Sequence, residues 1–142
     1  MDRVDKATRS RMMARVKNKN TKPETLVRSR LHRLGFRFRN NIMVEGCKPD
    51  IVLKKYRTVI FVHGCFWHAH QSCRKGSLPK SNRKFWQEKL EGNVARDLEN
   101  ADRLLEAGWN VGVIWECALK ADKIHEIDFS FLLNAGGYWE AE

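Results

Sequence analysis

Long apolar runs are missing from this sequence. No window approaches the length that spans a membrane, and charged residues follow Met1 without a hydrophobic leader, so a cytoplasmic protein is expected. Internal repeats and low-complexity segments are absent too, which leaves 142 residues for one compact domain with a real core. Acidic residues are scarce: 17 Asp and Glu stand against 27 Lys and Arg, a net charge of +10. The excess runs along the whole chain. It favours a polyanionic partner, nucleic acid first, over a merely basic and soluble surface. Cysteines number only four. In a reducing compartment they point to metal ligands or spare thiols rather than disulfides.

What is present is concentrated in residues 58–73, TVIFVHGCFWHAHQSC. The β-branched and aromatic run 58–62 has the composition of a buried strand, and ligand-type side chains follow it at once. A strand that delivers such groups at its C-terminal end is where α/β sheets place their chemistry.

The rest of the chain builds a sheet around that strand. Residues 1–20 are basic, with a Lys/Arg face at Lys6, Arg9, Arg11 and Arg15, and read as a DNA-contacting arm or a solvated tail. Thr21, Pro23 and Glu24 make a helix start, with Thr21 as cap and Glu24 completing a capping box. Leu26, Val27, Leu31 and Leu34 form its stripe and Gly35 ends it. The alternation in 36–39 predicts a half-buried strand; residues 48–53 and 58–62 predict two more, joined as a hairpin by the polar turn 54–57. Trp86, Leu90, Val94, Leu98, Ala101, Leu104 and Leu105 recur at helical spacing up to Gly108, with Gly92 as a point where a break is expected. Residues 109–115 follow as a strand, so 58–62 and 109–115 flank a helix and should be parallel with a right-handed crossover. A short helix over 121–133 and a tail at Gly136-Gly137 complete the chain. The expected architecture is α/β: one mixed sheet with helices on its faces.

Two groups of residues carry chemistry. Cys65, His70 and Cys73 stand as C-x₄-H-x₂-C, and Cys117 follows the last strand on the edge that parallel strands share. Three thiolates and an imidazole make a closed, structural zinc site; on spacing alone His68 rivals His70, and Cys47 is left as a spare thiol. The second group is Asp50, at the mouth of one strand, and His63, at the end of its neighbour. Asp50 after Pro49 has a plain role in turning the backbone, yet carboxylates on adjacent strands are also how many nucleases hold Mg²⁺. The second acid of that pattern is missing, because its slots read Phe61, Val62 and His63.

The run FVHGCFWHAH, with PDIVL before it and WECAL after it, closely resembles the very short patch repair (Vsr) endonucleases, bacterial mismatch-nicking enzymes. The likeness extends from Asp5 to Leu119. It implies a restriction-endonuclease-like single domain over 21–142, a central mixed sheet flanked by helices (αβββαβ core) with a structural zinc site, and a basic DNA-contacting arm over 1–20. Asp50 and the main-chain oxygen of Val62, where the family commonly has threonine, would hold Mg²⁺. His68 would act as general base or acid with His63 beside it, and Glu24 would orient water. Zn²⁺ would take Cys65, His70, Cys73 and Cys117. Phe66, Trp67 and Trp86 match the family's wedge into DNA, and Met13 a residue inserted from the opposite groove. The implied reaction is a nick 5′ of the thymine in a T·G mismatch left by deamination of 5-methylcytosine. The implied setting is a monomer on double-stranded DNA in the bacterial cytoplasm, at the nucleoid, with mismatch-repair proteins as candidate accessory partners. A related nuclease of a restriction or mobile-element system, and a non-catalytic zinc-stabilised DNA-binding module, are the alternative readings.

Overall fold

A computed structural model describes residues 21–70, 73, 78–120 and 123–142. The basic arm, with Met13, lies outside the described residues.

Helix α1 (Lys22–Arg33) begins as its sequence dictates: the Thr21 hydroxyl accepts the Glu24 backbone N–H at 3.4 Å, and Pro23 sits in the first turn. Only Val27 and Leu31 of its stripe are buried, with Leu26 and Leu34 left at the surface. Strands β1 (Arg39–Asn40), β2 (Ile51–Leu53), β3 (Thr58–His63), β4 (Asn110–Trp115) and β5 (Tyr138–Ala141) form one sheet in that spatial order. The first two pairings are antiparallel, and β3–β4 and β4–β5 are parallel. Helix α2 (Arg83–Glu106) makes the crossover from β3 to β4, and α3 (Phe129–Ala135) precedes β5. The mixed, helix-flanked sheet is thus the expected one.

Period-2 alternation sorts the strands between two cores. Ile51, Leu53, Ile60 and Ile114 face α1 and α3, packing with Val27, Leu31, Phe129 and Trp139. Val52, Val59 and Val111 face α2 and meet Leu104. His63 continues the Val59–Phe61 face toward α2, whereas the Val62 side chain packs into the first core.

Four expectations need correction. The strand expected at 36–39 is reduced to Arg39–Asn40: Phe36 and Phe38 turn their rings into the first core, Phe36 edge-on to Tyr56, and so leave the ladder. Helix α2 runs unbroken through Gly92 for 24 residues, because its ends are tied down by Trp86, Leu90 and Leu104. The helix expected over 121–133 is instead a 3₁₀ turn, Lys123–Glu126, followed by α3. Finally, Gly136 and Gly137 are no tail. Both take positive φ and swing the chain into β5, whose Trp139 ring lies so close over Gly112 of β4 that a Cβ there would clash.

Candidate active site and metal centre

The loop after β3 is wound by its own backbone. The His68 N–H reaches the Gly64 carbonyl at 3.2 Å, that of His70 reaches Cys65 at 2.9 Å, and Ala69 takes a left-handed φ of 51°. That winding points Cys65 and His70 inward. Cys117 joins them from the 3₁₀ turn Glu116–Leu119 that follows β4, as parallel strands require. The ligand atoms of Cys65, His70, Cys73 and Cys117 lie within 4.8 Å of one another.

This donor set suits zinc, and one of its distances can be compared with the ion's geometry. Zn–S near 2.3 Å and Zn–N near 2.0–2.1 Å at a tetrahedral angle separate sulfur and nitrogen by about 3.6 Å. The Cys117 Sγ to His70 Nδ1 distance is 3.6 Å. Burial pushes the Cys65 thiol up to about 12, so a thiolate there calls for a cation beside it. Nδ1 of His70 faces the Cys117 thiol and would bind the ion, and its Nε2 lies 3.0 Å from the carboxylate of Glu142, the residue after β5. The His70 ring also stacks on Trp115, centroids 4.1 Å apart. His70, not His68, completes the zinc-binding cluster. Cys47 sits apart, its thiol donating to the Val44 carbonyl at 3.2 Å.

A second convergence joins β2, β3 and α1. An Asp50 carboxylate oxygen accepts the Val62 backbone N–H at 2.7 Å. In a β-strand one residue's N–H and C=O leave on the same side, as exchanged antiparallel pairs show. The Val62 carbonyl thus opens toward Asp50, whatever side chain it carries. Burial raises the Asp50 pKa to about 7 against the Val62 bond, and the Glu24 carboxyl, hydrogen-bonded to it, pushes the same way. Glu24 is itself buried and held by Arg28, whose Nη2 donates to its Oε2 at 3.1 Å and to the Asp50 carbonyl at 3.3 Å. A buried and a half-buried carboxyl with a peptide oxygen form a hard, oxygen-only donor set that would suit Mg²⁺.

On the α2 face, His63 and His68 stack face to face, centroids 3.8 Å apart and planes within 3°. His68 Nδ1 lies 2.6 Å from one Asp97 oxygen, and His63 Nε2 lies 4.0 Å from the other. These three groups are close enough to suggest a further metal site. The stacking argues otherwise: an imidazole lone pair lies in its ring plane, and one ion cannot sit in two parallel planes at once. His68 and Asp97 form a hydrogen-bond relay, and His63, 4.0 Å from the carboxylate, stacks on it without joining it. With Nδ1 of His68 held against the Asp97 carboxylate, Nε2 is the ring nitrogen left for proton exchange. Burial, then His68, lowers the His63 pKa to about 3. His63 stays neutral near neutral pH.

Sequence reasoning missed Asp97, Glu142 and Arg28. Asp97 had a readable signal: it falls between Val94 and Ala101 on the apolar stripe of α2, where an acid is out of place. Glu142 had none, since β5 itself was not foreseen. Phe66, Trp67 and Trp86 do come together, with edge-to-face centroids 5.2 to 5.8 Å apart. The cluster buries Trp86 to 8% exposure and leaves the other two rings half-buried. Beside the relay, a cleft of about 820 Å³ opens between α2 and the sheet, lined by Asp97, Glu91, Glu140 and Glu142 and, among the described residues, by no Lys or Arg.

A family model for the DNA mismatch endonuclease Vsr matches residues 1–75. Type II nicking enzyme V.NmeAIP of Neisseria meningitidis is 53% identical over 112 residues, 79% of each chain. Type II nicking enzyme V.XorIIP of Xanthomonas oryzae is 48% identical over 118 residues, 83% of this chain and 86% of its own. DNA mismatch endonuclease Vsr of Escherichia coli is 43% identical over 116 residues, 82% of this chain and 74% of its own.

Proposed function

Because the chain belongs to the Vsr family of DNA-nicking endonucleases, we propose that it hydrolyses one strand of duplex DNA on the 5′ side of the thymine in a T·G mismatch. The observation that carries a reaction centre is the Asp50–Val62 contact, which sets a carboxylate and a peptide carbonyl side by side next to Glu24. Those groups would hold Mg²⁺. When bound, that ion neutralises phosphate charge and lowers the pKa of the attacking water. Arg28 holds Glu24 and the Asp50 main-chain carbonyl, and Glu24, hydrogen-bonded to the Asp50 carboxyl, would orient water. His68, oriented by Asp97, keeps Nε2 free to take or return a proton, and the stacked, neutral His63 holds its ring in place. Zinc braces the loop that carries His68 and the aromatic cluster.

Phe66 and Trp67 are the side chains to push between base steps, where a mismatch lowers the unstacking cost. One reaction centre suffices for one nick, so the reading is of a monomer working on DNA in the bacterial cytoplasm. The deciding experiment offers one duplex with T·G or T·A at a single position in the presence of Mg²⁺. Nicking of the T·G duplex alone, 5′ of its thymine, supports the reading, and equal cutting of both defeats the mismatch assignment. The second reading, a nuclease with another DNA target, draws on the type II nicking enzyme names of two relatives. The T·A arm tests it directly.

A further inference from the structure

Strand β1 leaves one edge of the sheet open. Arg39 pairs with Val52 and Asn40 with Ile51, and among the described residues no strand lies beyond them. Just before that short ladder the two segments part. Phe36 and Phe38 turn their rings into the first core, and the 3₁₀ turn Lys54–Tyr56 bends away after β2. A groove of about 350 Å³ opens there, walled by residues 35–39 on one side and by Val52 and residues 54–56 on the other.

The groove carries charge of one sign. Arg37, Arg39, Lys54 and Lys55 line it and, among the described residues, no acid does. Residues directly opposite in a ladder point to the same face, so Arg39 stands on the α2 side with Val52, and Arg37, two residues earlier, follows it. Cations thus alternate with the core-facing Phe36 and Phe38 along this segment. Charges at a sheet edge commonly guard against aggregation, but that role needs no groove. A phosphate would use the cations alone, whereas an extended peptide also pairs with the open main-chain edge.

The chain itself does not supply that peptide. Its arm over 1–20 bears Arg9, Arg11 and Arg15, of the same sign as the groove. Strand β5, at the opposite edge, does alternate Trp139 and Ala141 with acids, but those acids are engaged. Glu140 accepts the Tyr138 hydroxyl at 2.6 Å, and Glu142 faces His70.

We infer that the β1 edge is a docking site for an extended acidic segment of another protein. That segment adds a strand to the sheet and sets alternate carboxylates against Arg37, Arg39 and Lys54, with its intervening apolar side chains on the Phe36–Phe38 side. The groove stands where β2 ends and β3 begins, whereas Val62 and His63 lie at the far end of β3, about 17 Å along the strand. Partner and DNA therefore take different ends of the sheet, and the inference goes beyond the nuclease reading without depending on it.

The test measures binding of a labelled, end-blocked peptide of alternating glutamate and valine to the zinc-loaded full chain by fluorescence anisotropy. An isomer with the same residues in two blocks is measured beside it. Strand addition predicts about tenfold tighter binding of the alternating peptide. The double variant Arg37→Glu, Arg39→Glu should lose that preference while its melting midpoint, zinc content and nicking of the T·G duplex stay as in wild type. Equal affinity of wild type for the two peptides overturns the inference, because bulk charge attraction then explains the binding, and this arm needs no variant to fold. A folded double variant that keeps the preference also overturns it. So does one that stops nicking, which would make the groove a DNA contact. Self-association of wild type that the double variant abolishes, seen by sedimentation, would give the edge to a second copy and overturn it as well.

Discussion

The Asp50 carboxylate and the Val62 backbone N–H meet at 2.7 Å, across the gap where β2 begins and β3 nears its end. That contact survives any change of the Val62 side chain, which packs away into the first core. It also holds a half-buried acid whose pKa desolvation raises from 3.8 to about 7.

An acid with a raised folded pKa costs nothing while protonated in both states, and its ionisation penalty grows as pH climbs from 3.8 through about 7. Without Mg²⁺, Asp50→Asn should therefore melt above wild type at about pH 8, with the gap closing toward about pH 4. Mg²⁺ should raise the wild-type midpoint at the higher pH and leave the Asn variant unmoved. Equal midpoints across the range would contradict the desolvated Asp50–Glu24 pair.

Asp97→Asn replaces an acceptor by a group that can donate to His68 Nδ1 and so fix the wrong tautomer. Nicking should fall by about 10²–10⁴ with duplex affinity nearly unchanged, as follows when a general base loses its orienting acid. Single-turnover rates against binding isotherms check it. A loss confined to affinity would make Asp97 a DNA contact instead.

The Glu142 carboxylate, just past β5 and 3.0 Å from His70 Nε2, orients a zinc ligand. Glu142→Gln should speed zinc transfer to a colorimetric chelator by about 10–100-fold. Complete zinc removal should unfold the loop over 63–73 and abolish nicking even with Mg²⁺ present. Activity intact after verified zinc loss would refute the bracing role.

Gly112→Ala should destabilise the fold by about 1–3 kcal/mol, because the Trp139 ring occupies the Cβ position and neither β4 nor β5 can yield freely. Urea titration of the zinc-loaded chain measures this. No loss of stability would mean β5 is held elsewhere.

Local rules in the sequence foretold what local rules control. Thr21, Pro23 and Glu24 start a helix anywhere, and the apolar runs of β3 and β4 with α2 between them specify a parallel crossover. The three zinc cysteines were readable because spacing and strand direction together deliver Cys117, whereas spacing left His68 and His70 open and the family resemblance chose between them. What escaped depends on distant partners. Phe36 and Phe38 alternate like a strand, but the first core claims their rings. Strand β5 is four residues long and is recognisable only through Trp139 lying on Gly112. The burial of Trp86 follows from where the loop over 64–70 comes to rest on α2.

The most direct test titrates wild type and Asp50→Ala against the same T·G duplex, reading bound fraction and Mg²⁺-dependent nicking from one set of samples. The account predicts comparable binding by both proteins and nicking by wild type alone. Nicking by Asp50→Ala at the wild-type rate would place the reaction centre somewhere other than the gap between Asp50 and Val62.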